Sequence, residues 1–185
     1  MALFREQADV SVRPAVAGDE RPIADVQLEA WRTAHVDVLG EPVLSALDRD
    51  AFVAGWTAAI TAPPGRGHRV LVACDGPHVV GFVAIRPLLA ATPDSAPDAL
   101  ATAGEIVALE VHPSVQRGGH GSRLLAAAVD LLREDGLVHV ATWVLDGNPA
   151  REQFLTSAGL GPDGATRTLA TGIREVVERR WVAEI

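Results

Sequence analysis

The chain has 185 residues, of which 48% are hydrophobic, and its 24 acidic side chains against 16 arginines and no lysine give a formal net charge of −8. This length suffices for one well-buried core and is short for two. The acidic balance argues against nucleic acid as a partner, and no apolar run approaches the length of a membrane span. Since a signal peptide is also lacking, we expect a cytoplasmic protein with one domain over 10–185, after a flexible lead-in over 1–9.

The first elements of the chain are a short strand and two helices. Residues 10–15 alternate as a strand does. Asp19 is expected to cap a helix that runs to about Val38, and Asp48 is expected to cap a second helix that ends at Pro63-Pro64-Gly65. Apolar residues recur at helical spacing along both helices, so each should bury one face.

The middle of the chain contains a hairpin and a long connection. Residues 69–74 and 79–86 are two β-rich runs joined by the turn sequence of 75–78, which predicts an antiparallel pair. The stretch 87–104 is rich in proline and alanine and longer than a simple connection requires. We expect a mobile surface loop there, beside a strand over 105–111.

The second half of the chain predicts a strand, a helix and a second strand. The apolar run 105–111 is followed by a glycine-rich segment and a helical pattern that ends at Asp135-Gly136. Residues 137–145 are continuously apolar, as in a strand buried on both faces, and should pair parallel to 105–111. Two further runs, 165–171 and 175–183, should close the sheet as an antiparallel pair. The pattern therefore predicts an α/β fold with a mixed sheet of about seven strands and about four helices.

The glycine-rich segment is a candidate phosphate site. Gly118, Gly119 and Gly121 lack the Cβ that would crowd a ligand, so successive amides can face one anion at the positive end of the next helix. A P-loop is excluded because it needs a lysine, and the dinucleotide fingerprint fails because Leu124 stands at its last glycine position. The alternative is that the glycines only make a tight strand-to-helix connection.

Two segments carry a resemblance to a known family. Gln116-x-x-Gly119-x-Gly121, after a strand that contains Glu105, resembles the acetyl-CoA pyrophosphate loop of the GNAT superfamily of N-acetyltransferases. The stretch 148–160 is similar to the second signature of that superfamily, N-x-x-A-x-x-F-Y-x-x-x-G-F. There we match Asn148 to the asparagine, with one residue fewer before Ala150, and Phe154 to the phenylalanine. Asn148 is also expected to cap a short helix that starts at Pro149 and ends before Gly159.

This resemblance implies the GNAT fold, with acetyl-CoA as co-substrate and no metal. The pantetheine arm would bond to the backbone of Leu109 and Val111, where a bulge splays the strand from its neighbour. The other residues implied at the cofactor lie in the two matched segments and are Gln116, Arg117, Gly118, Gly119, His120, Gly121, Ser122, Asn148, Arg151 and Phe154. For the arginines the alternative is an ordinary solvated side chain.

The resemblance also supplies candidates for the chemistry. Glu105 occupies the position at which some relatives carry their general base, and Glu110 on the same strand is the second candidate. The alternative for Glu105 is a strand-end carboxylate in solvent. Leu155 replaces the tyrosine that many relatives use as general acid, and Ser157 or water is the substitute within reach.

The acceptor pocket would lie beside the first two helices. Trp31, His35 and Trp56 are its candidate residues, with core packing as the alternative for each. These features predict transfer of an acetyl group from acetyl-CoA to a primary amine of a small molecule or protein, in a ternary complex. The alternative function is a non-catalytic acyl-CoA-binding or sensing domain. The sequence does not identify the amine, and it leaves a homodimer open.

Overall fold

The computed structural model describes residues 10–88, 100 and 102–185, which form a seven-stranded mixed sheet. Its strands are β1 Val10–Pro14, β2 Arg69–Asp75, β3 His78–Pro87, β4 Ala103–Val111, β5 His139–Leu145, β6 Gly161–Ala170 and β7 Glu175–Glu184. They are ordered β1-β2-β3-β4-β5-β7-β6. The contact of β4 with β5 is parallel and the others are antiparallel. The seven predicted strands and the predicted parallel pair are confirmed.

The described α-helices comprise four of nine or more residues and two short ones. They are α1 Glu20–Ala34, α2 Val36–Leu39, α3 Glu41–Ser45, α4 Arg49–Thr61, α5 His120–Glu134 and α6 Pro149–Ser157. The predicted α/β architecture is confirmed, and the two short helices were not predicted. Within the described residues, no helix is both long and apolar enough to span a bilayer.

Capping was predicted correctly at two of three helices. The side chain of Asp48 accepts a hydrogen bond from the amide of Asp50 at the start of α4, and that of Asn148 accepts one from the amide of Arg151 in α6. Asp19 is the residue before α1, as predicted, but its side chain makes no capping hydrogen bond. Its carboxylate accepts two hydrogen bonds from the Arg13 guanidinium, at 2.6 and 3.0 Å, and one from the Val16 amide at 2.8 Å. A charged partner therefore holds the oxygens that a cap would use.

The first helix is shorter than predicted. It ends at Ala34 because His35 leaves helical backbone geometry, with φ −122° and ψ 9°. The chain resumes as α2, and Gly40, with φ +79°, then separates α2 from α3. A glycine adopts this left-handed value without the steric cost that a Cβ brings. The 3.6-residue pattern carries no information on such a single-residue break.

Helices cover both faces of the sheet, as the alternation along β2 demonstrates. Leu71 and Ala73 pack in one apolar cluster with Leu124 and Leu132 of α5. Val72 and Cys74 point the other way and pack in a second cluster with Ile23 and Val26 of α1, joined by Trp56 of α4. Because successive strand residues alternate in direction, α5 lies on one face and α1 with α4 on the other.

A bulge and a divergence of strands open the sheet near its centre. On β3 the neighbours Ala84 and Ile85 pair with Ala108 and Ile106, so Val107 is the extra residue of a bulge in β4. Pairing of β4 with β5 ends at Ile106, whereas β5 stays paired with β7 as far as Leu145. The bulge and splay implied by the resemblance are confirmed.

The predicted connection over 87–104 was placed with the wrong ends. Pro87 is the last residue of β3, and Ala103 and Gly104 already belong to β4. Most of the predicted loop, residues 89–99 and 101, lies outside the described residues, as does the predicted lead-in over 1–9. The expected mobility of both segments therefore remains a prediction.

Candidate active site

A cavity, called here the cleft cavity, opens where β4 and β5 separate, and α1 bounds it on the helical side. Its empty volume, measured out to its mouth, is about 630 Å³. Its titratable and aromatic lining side chains are Trp31, His35, Glu110, Trp143, Arg151 and Glu178. Five residues that were candidates from the sequence thus line one cavity, namely Trp31, His35, Glu110, Asn148 and Arg151.

Glu110 is one of two carboxylates that line the cleft cavity, and Glu178 is the other. Its side chain is 16% exposed and lies 3.6 Å from the Arg151 guanidinium, measured from Oε1 to Nη2. Burial raises the pKa of Glu110, and the opposing effects of Arg151 and of a hydrogen bond from Trp31 only reduce the rise. A carboxylate whose pKa is shifted toward neutrality is a stronger proton acceptor than an ordinary glutamate.

His35 faces the same cavity as a neutral imidazole. Burial, and secondly the charge of Arg151, lower the pKa of His35 to about 4. Its Nδ1 atom is buried and has no hydrogen-bond partner among the described residues. The Trp31 ring contacts it edge-on, with 6.1 Å between ring centroids. His35 can therefore offer a hydrogen bond to a polar ligand but carries no charge near neutral pH.

Glu105 lies outside the cavity lining. The bulge at Val107 puts it on the same face of β4 as Glu110, but its carboxylate is buried against β3. There Glu105 Oε2 accepts a hydrogen bond of 2.7 Å from the Arg86 guanidinium. The structure thus brings Glu110, and not Glu105, to the residues that line the cleft.

The two strand residues expected to contact pantetheine have carbonyls that side chains already reach. Arg151 donates through Nη1 to the carbonyl of Leu109. Gln116 donates through Nε2 to the carbonyl of Val111 at 3.3 Å. Both carbonyls lie beyond the last rung that joins β4 to β5, so they point into the opening between the strands. A ligand that pairs with this part of β4 must therefore share or displace the hydrogen bonds from Arg151 and Gln116.

The glycine-rich segment forms the start of α5. Gly119 is the N-cap residue with φ +81°, a conformation that a residue with a Cβ rarely adopts. The first amides of a helix have no partner within it, and here they belong to His120, Gly121 and Ser122. Arg123 fixes the turn by donating to the Gly118 carbonyl at 3.1 Å. The geometry fits an anion at this helix start.

The side chains around the start of α5 differ in their exposure to solvent. Gln116, Arg117 and Ser122 are exposed, and Arg117 has a left-handed φ of +66°. The imidazole of His120 is buried instead, with 5% of the residue exposed. His120 can contribute its backbone amide to a bound anion, whereas its side chain packs below the turn.

A second opening, the helix groove, lies between α5 and α6. Ser122 and Phe154 line it, and a Cβ on Gly121 would come within 3.6 Å of the Phe154 ring. Ser157 also lines this groove and donates through Oγ to the Phe154 carbonyl at 2.7 Å. Ser157 is not among the residues that line the cleft cavity, so the structure separates it from Glu110.

Trp56 packs in the core rather than in the cleft. Its ring contacts Phe82 edge-on at 4.8 Å, and its indole nitrogen donates to Gln27 Oε1 at 2.8 Å. Gln27 itself lines the cavity and was not predicted. The helical spacing of apolar residues along α1 gives no reason to single out Gln27. Only its hydrogen bond with Trp56 of α4 identifies it as a fixed polar group.

Glu178 and Trp143 are cavity residues that the sequence did not identify. Glu178 accepts a 2.6 Å hydrogen bond from Arg167, whose guanidinium lies 4.4 Å from the centre of the Trp143 ring. These residues come from β7, β6 and β5. The mixture of polar and apolar residues over 175–180 indicated that some polar side chains of this strand face other protein groups. Which groups they face depends on where β7 inserts in the sheet.

The match to the second signature needs a correction on α6. Counting from Asn148 at the spacing of N-x-x-A-x-x-F-Y puts Arg151, not Ala150, at the alanine position, and Phe154 and Leu155 then follow without a gap. Leu155 is 3% exposed and belongs to the core cluster under α5. The chain thus differs from the signature at two positions on one helix.

The site combines a proton acceptor, a neutral imidazole and a permanent cation around a cleft with backbone acceptors. Among the described residues, no group of three or more His, Cys, Asp or Glu side chains is arranged to hold a metal ion. Together with the anion-binding geometry of α5, this arrangement suits transfer of a group from a phosphate-bearing donor to an acceptor base.

This fold and site belong to the N-acetyltransferase class of acyltransferases. The sequence profile described as the acetyltransferase (GNAT) family matches residues 28–160, which is more than half of the chain. The chain therefore belongs to the acetyltransferase (GNAT) family. The resemblance noted from the two sequence segments is confirmed.

Individual relatives agree in class and in fold. An uncharacterized N-acetyltransferase of Bacillus subtilis, YuaI, is 28% identical over 142 residues, which are 76% of this chain and 75% of that protein. The PaiA N-acetyltransferase of Thermoplasma acidophilum, solved with coenzyme A, superposes with a TM-score of 0.77 at 13% identity, over 96% of this chain and 99% of that one. The structure of yncA from Salmonella typhimurium with acetyl-CoA gives 0.66 at 20% identity, over 95% and 94%.

Proposed function

We propose that this protein transfers the acetyl group of acetyl-CoA to a primary amine of a small molecule or protein, by direct transfer in a ternary complex with Glu110 as the proton acceptor. One observation carries the proposal. Of the two carboxylates that line the cleft cavity, Glu178 is paired with Arg167 at 2.6 Å, whereas Glu110 lies between the diverging strands and burial has raised its pKa. The family of the chain supports the reaction type.

Acetyl-CoA is the donor that the site suits best. The α5 start can bind the pyrophosphate through its amides, with Arg117 and Arg123 nearby to balance its charge. The carbonyls of Leu109 and Val111 suit the amide groups of a pantetheine arm. Fold relatives with coenzyme A or acetyl-CoA bound support the same donor.

The main difficulty of the reaction is that an amine enters the site as a cation, and Glu110 can accept the proton that this cation must lose. Deprotonating an alkylammonium with a pKa near 10.4 at pH 7 requires about 4.6 kcal/mol, at roughly 1.36 kcal/mol per pKa unit. A half-buried carboxylate attracts the ammonium and accepts its proton, directly or through one water. The neighbouring Trp31 ring and the imidazole of His35 provide an apolar wall and a hydrogen-bond partner for the amine.

Release of free thiol from acetyl-CoA, measured with a thiol reagent across a panel of primary amines, tests the proposal. The panel should include alkyl and aryl amines and a peptide with a free amino terminus. Amine-dependent thiol release, with the acetylated amine identified by mass spectrometry, is the expected result. Tight acetyl-CoA binding without release for any amine would instead support an acyl-CoA-sensing domain.

A further inference from the structure

Arg151 directs a permanent positive charge into the cleft cavity. Its Nη1 atom donates to the carbonyl of Leu109, and its Nη2 atom lies 3.6 Å from Glu110 Oε1. Arginine stays protonated at any pH at which proteins fold. His35 cannot add to this charge, because its pKa is lowered to about 4. Among the described residues that line the cavity, Arg151 is thus the only permanent cation.

Neither the tyrosine of the signature nor Ser157 is available to a thiolate in the cleft cavity. The chain contains no tyrosine, and Leu155 at the tyrosine position of the signature is buried in the core. Ser157 lines the helix groove and donates its hydroxyl proton to the Phe154 carbonyl. Neither residue offers a donor to the cleft cavity.

Arg151 and Leu155 are neighbours on one face of α6, because residues four apart on a helix lie one above the other. Compared with the signature, this chain has the cation Arg151 in place of a small alanine, and Leu155 in place of the tyrosine with its hydroxyl. Arg151 thus brings a cation from α6 to the carbonyl of Leu109 on β4.

We propose that Arg151 stabilises the thiolate that leaves when acetyl-CoA reacts, a role that rests on the proposed function. The ammonium first gives a proton to Glu110, and the neutral nitrogen then adds to the thioester carbonyl carbon. The C–S bond breaks with its electron pair on sulfur, the nitrogen loses its second proton to water, and the sulfur gains one from water. Arg151 stays protonated throughout and donates a hydrogen bond to the sulfur anion.

The surrounding charges leave the guanidinium able to act on sulfur. The charged and titratable groups that face it are His35 beyond α1, Glu110 on β4 and Glu178 on β7. Glu178 is paired with Arg167 at 2.6 Å. The 3.6 Å approach to Glu110 is too long for a hydrogen bond, so the pair attracts without engaging the Nη2 donor fully. This role is more specific than the general cofactor contact implied for Arg151 by the resemblance.

The test compares binding of coenzyme A with binding of desulfo-coenzyme A, which lacks the thiol, by calorimetry between pH 6 and pH 9. For the wild-type protein, the preference for coenzyme A should increase with pH, since a free thiol with a pKa near 8.5 ionises more readily beside a cation. Arg151→Gln should reduce that preference at pH 9 by about 10- to 100-fold. Arg151→Lys should restore part of it, because the charge is retained.

Glu152→Gln is the matched control, since it removes one charge from the neighbouring residue of α6, outside the cleft lining. It should leave the preference unchanged. An Arg151→Gln protein that loses affinity for both ligands equally would overturn the inference and make Arg151 a positioning residue. An unchanged preference in Arg151→Gln would also overturn it. If neither ligand binds the wild-type protein, the proposed function itself has failed.

Discussion

Glu105 and Glu110 lie on one face of β4 because the bulge at Val107 changes the alternation between them, but they have different partners. Glu105 is held by Arg86 at 2.7 Å, away from the cleft. Glu110 lies in the cleft cavity, with Trp31 and Arg151 beside it. One strand thus carries a structural carboxylate and a candidate base, and substitutions distinguish the two.

Glu110→Gln should lower kcat by about 10²- to 10⁴-fold, because glutamine keeps the shape of the side chain but accepts no proton. In the wild-type protein, log(kcat/KM) should fall as the pH drops through the pKa of Glu110. Since burial raises that pKa, this acidic limb should lie above the ordinary range of a glutamate. A steady-state pH profile of both proteins checks the limb and its loss.

Glu105→Gln is the control on the same strand. It weakens the ion pair with Arg86, so thermal stability should fall while kcat stays within a few-fold of wild type. If Glu105→Gln instead abolished turnover and Glu110→Gln retained it, the roles of the two carboxylates would have to be exchanged.

Acetyl-CoA should raise the melting temperature of the protein, because a ligand that binds only the folded state stabilises it by RT ln(1 + [L]/Kd). Gly121→Val should remove most of that shift by placing a branched side chain at the α5 start, against Phe154. Gly55→Val is the matched control, since Gly55 is an exposed helical glycine on α4 with open space around it. Differential scanning fluorimetry with and without acetyl-CoA measures both. Equal shifts in the two variants would refute the loop assignment.

His35→Phe should raise the KM of the amine by about 5- to 10-fold, the effect of one lost hydrogen bond, with a smaller change in kcat. Since the pKa of His35 is lowered to about 4, the imidazole stays neutral from pH 5 to pH 8. Its removal should therefore leave the shape of the pH profile unchanged. His68→Phe, a half-buried histidine outside the cleft lining, serves as the control. A limb near pH 6.5 that disappears in His35→Phe would contradict the neutral assignment.

Asp19→Asn should destabilise the fold by about 1–3 kcal/mol at pH 7, because Asp19 is buried and accepts charge-assisted bonds from Arg13. The hydrogen bond from Arg13 lowers the pKa of Asp19 in the folded state. Its contribution is therefore fully present above the unfolded pKa of about 3.9 and is lost as the pH falls toward the folded pKa. Urea titrations from pH 7 to pH 2.5 should show the two proteins converging in acid.

Asp25→Asn is the control for that measurement. The pair of Asp25 with Arg49 has similar geometry, but both side chains are about half exposed. Solvent screening should make its loss smaller at every pH. A larger loss for Asp25→Asn than for Asp19→Asn would contradict the burial argument.

Sequence patterns were sufficient for the strands and for most of the helices. Continuous apolar runs and alternation predicted β4, β5 and their parallel pairing, because such patterns extend over seven or more residues. The short helices α2 and α3 span four and five residues, too few for a 3.6-residue repeat to be seen. Asp19 was misjudged for a different reason, since its competing partner Arg13 lies on the preceding strand.

The site was predictable where it depends on local geometry and unpredictable where it depends on assembly. The α5 start follows from adjacent glycines, and Asn148 follows from capping rules. Glu178 and Gln27 reach the cleft only because β7 lies beside β5 and α1 crosses the splay. The choice between Glu105 and Glu110 also needed the structure. Arg86 on the neighbouring strand β3 binds the Glu105 carboxylate and holds it outside the cleft lining, and the sequence does not reveal this contact.

Beyond Ile106, β4 is no longer paired with β5, so one side of β4 is an open strand edge within the sheet. Exposed strand edges invite pairing with further chains, and proteins protect them with charged side chains or covering elements. Here Arg151 and Gln116 act as the protecting groups, one on the carbonyl of Leu109 and one on that of Val111. A ligand that pairs with this edge competes with these two side chains rather than with water. Substituting both residues should therefore expose an aggregation-prone strand as well as alter the affinity of the ligand.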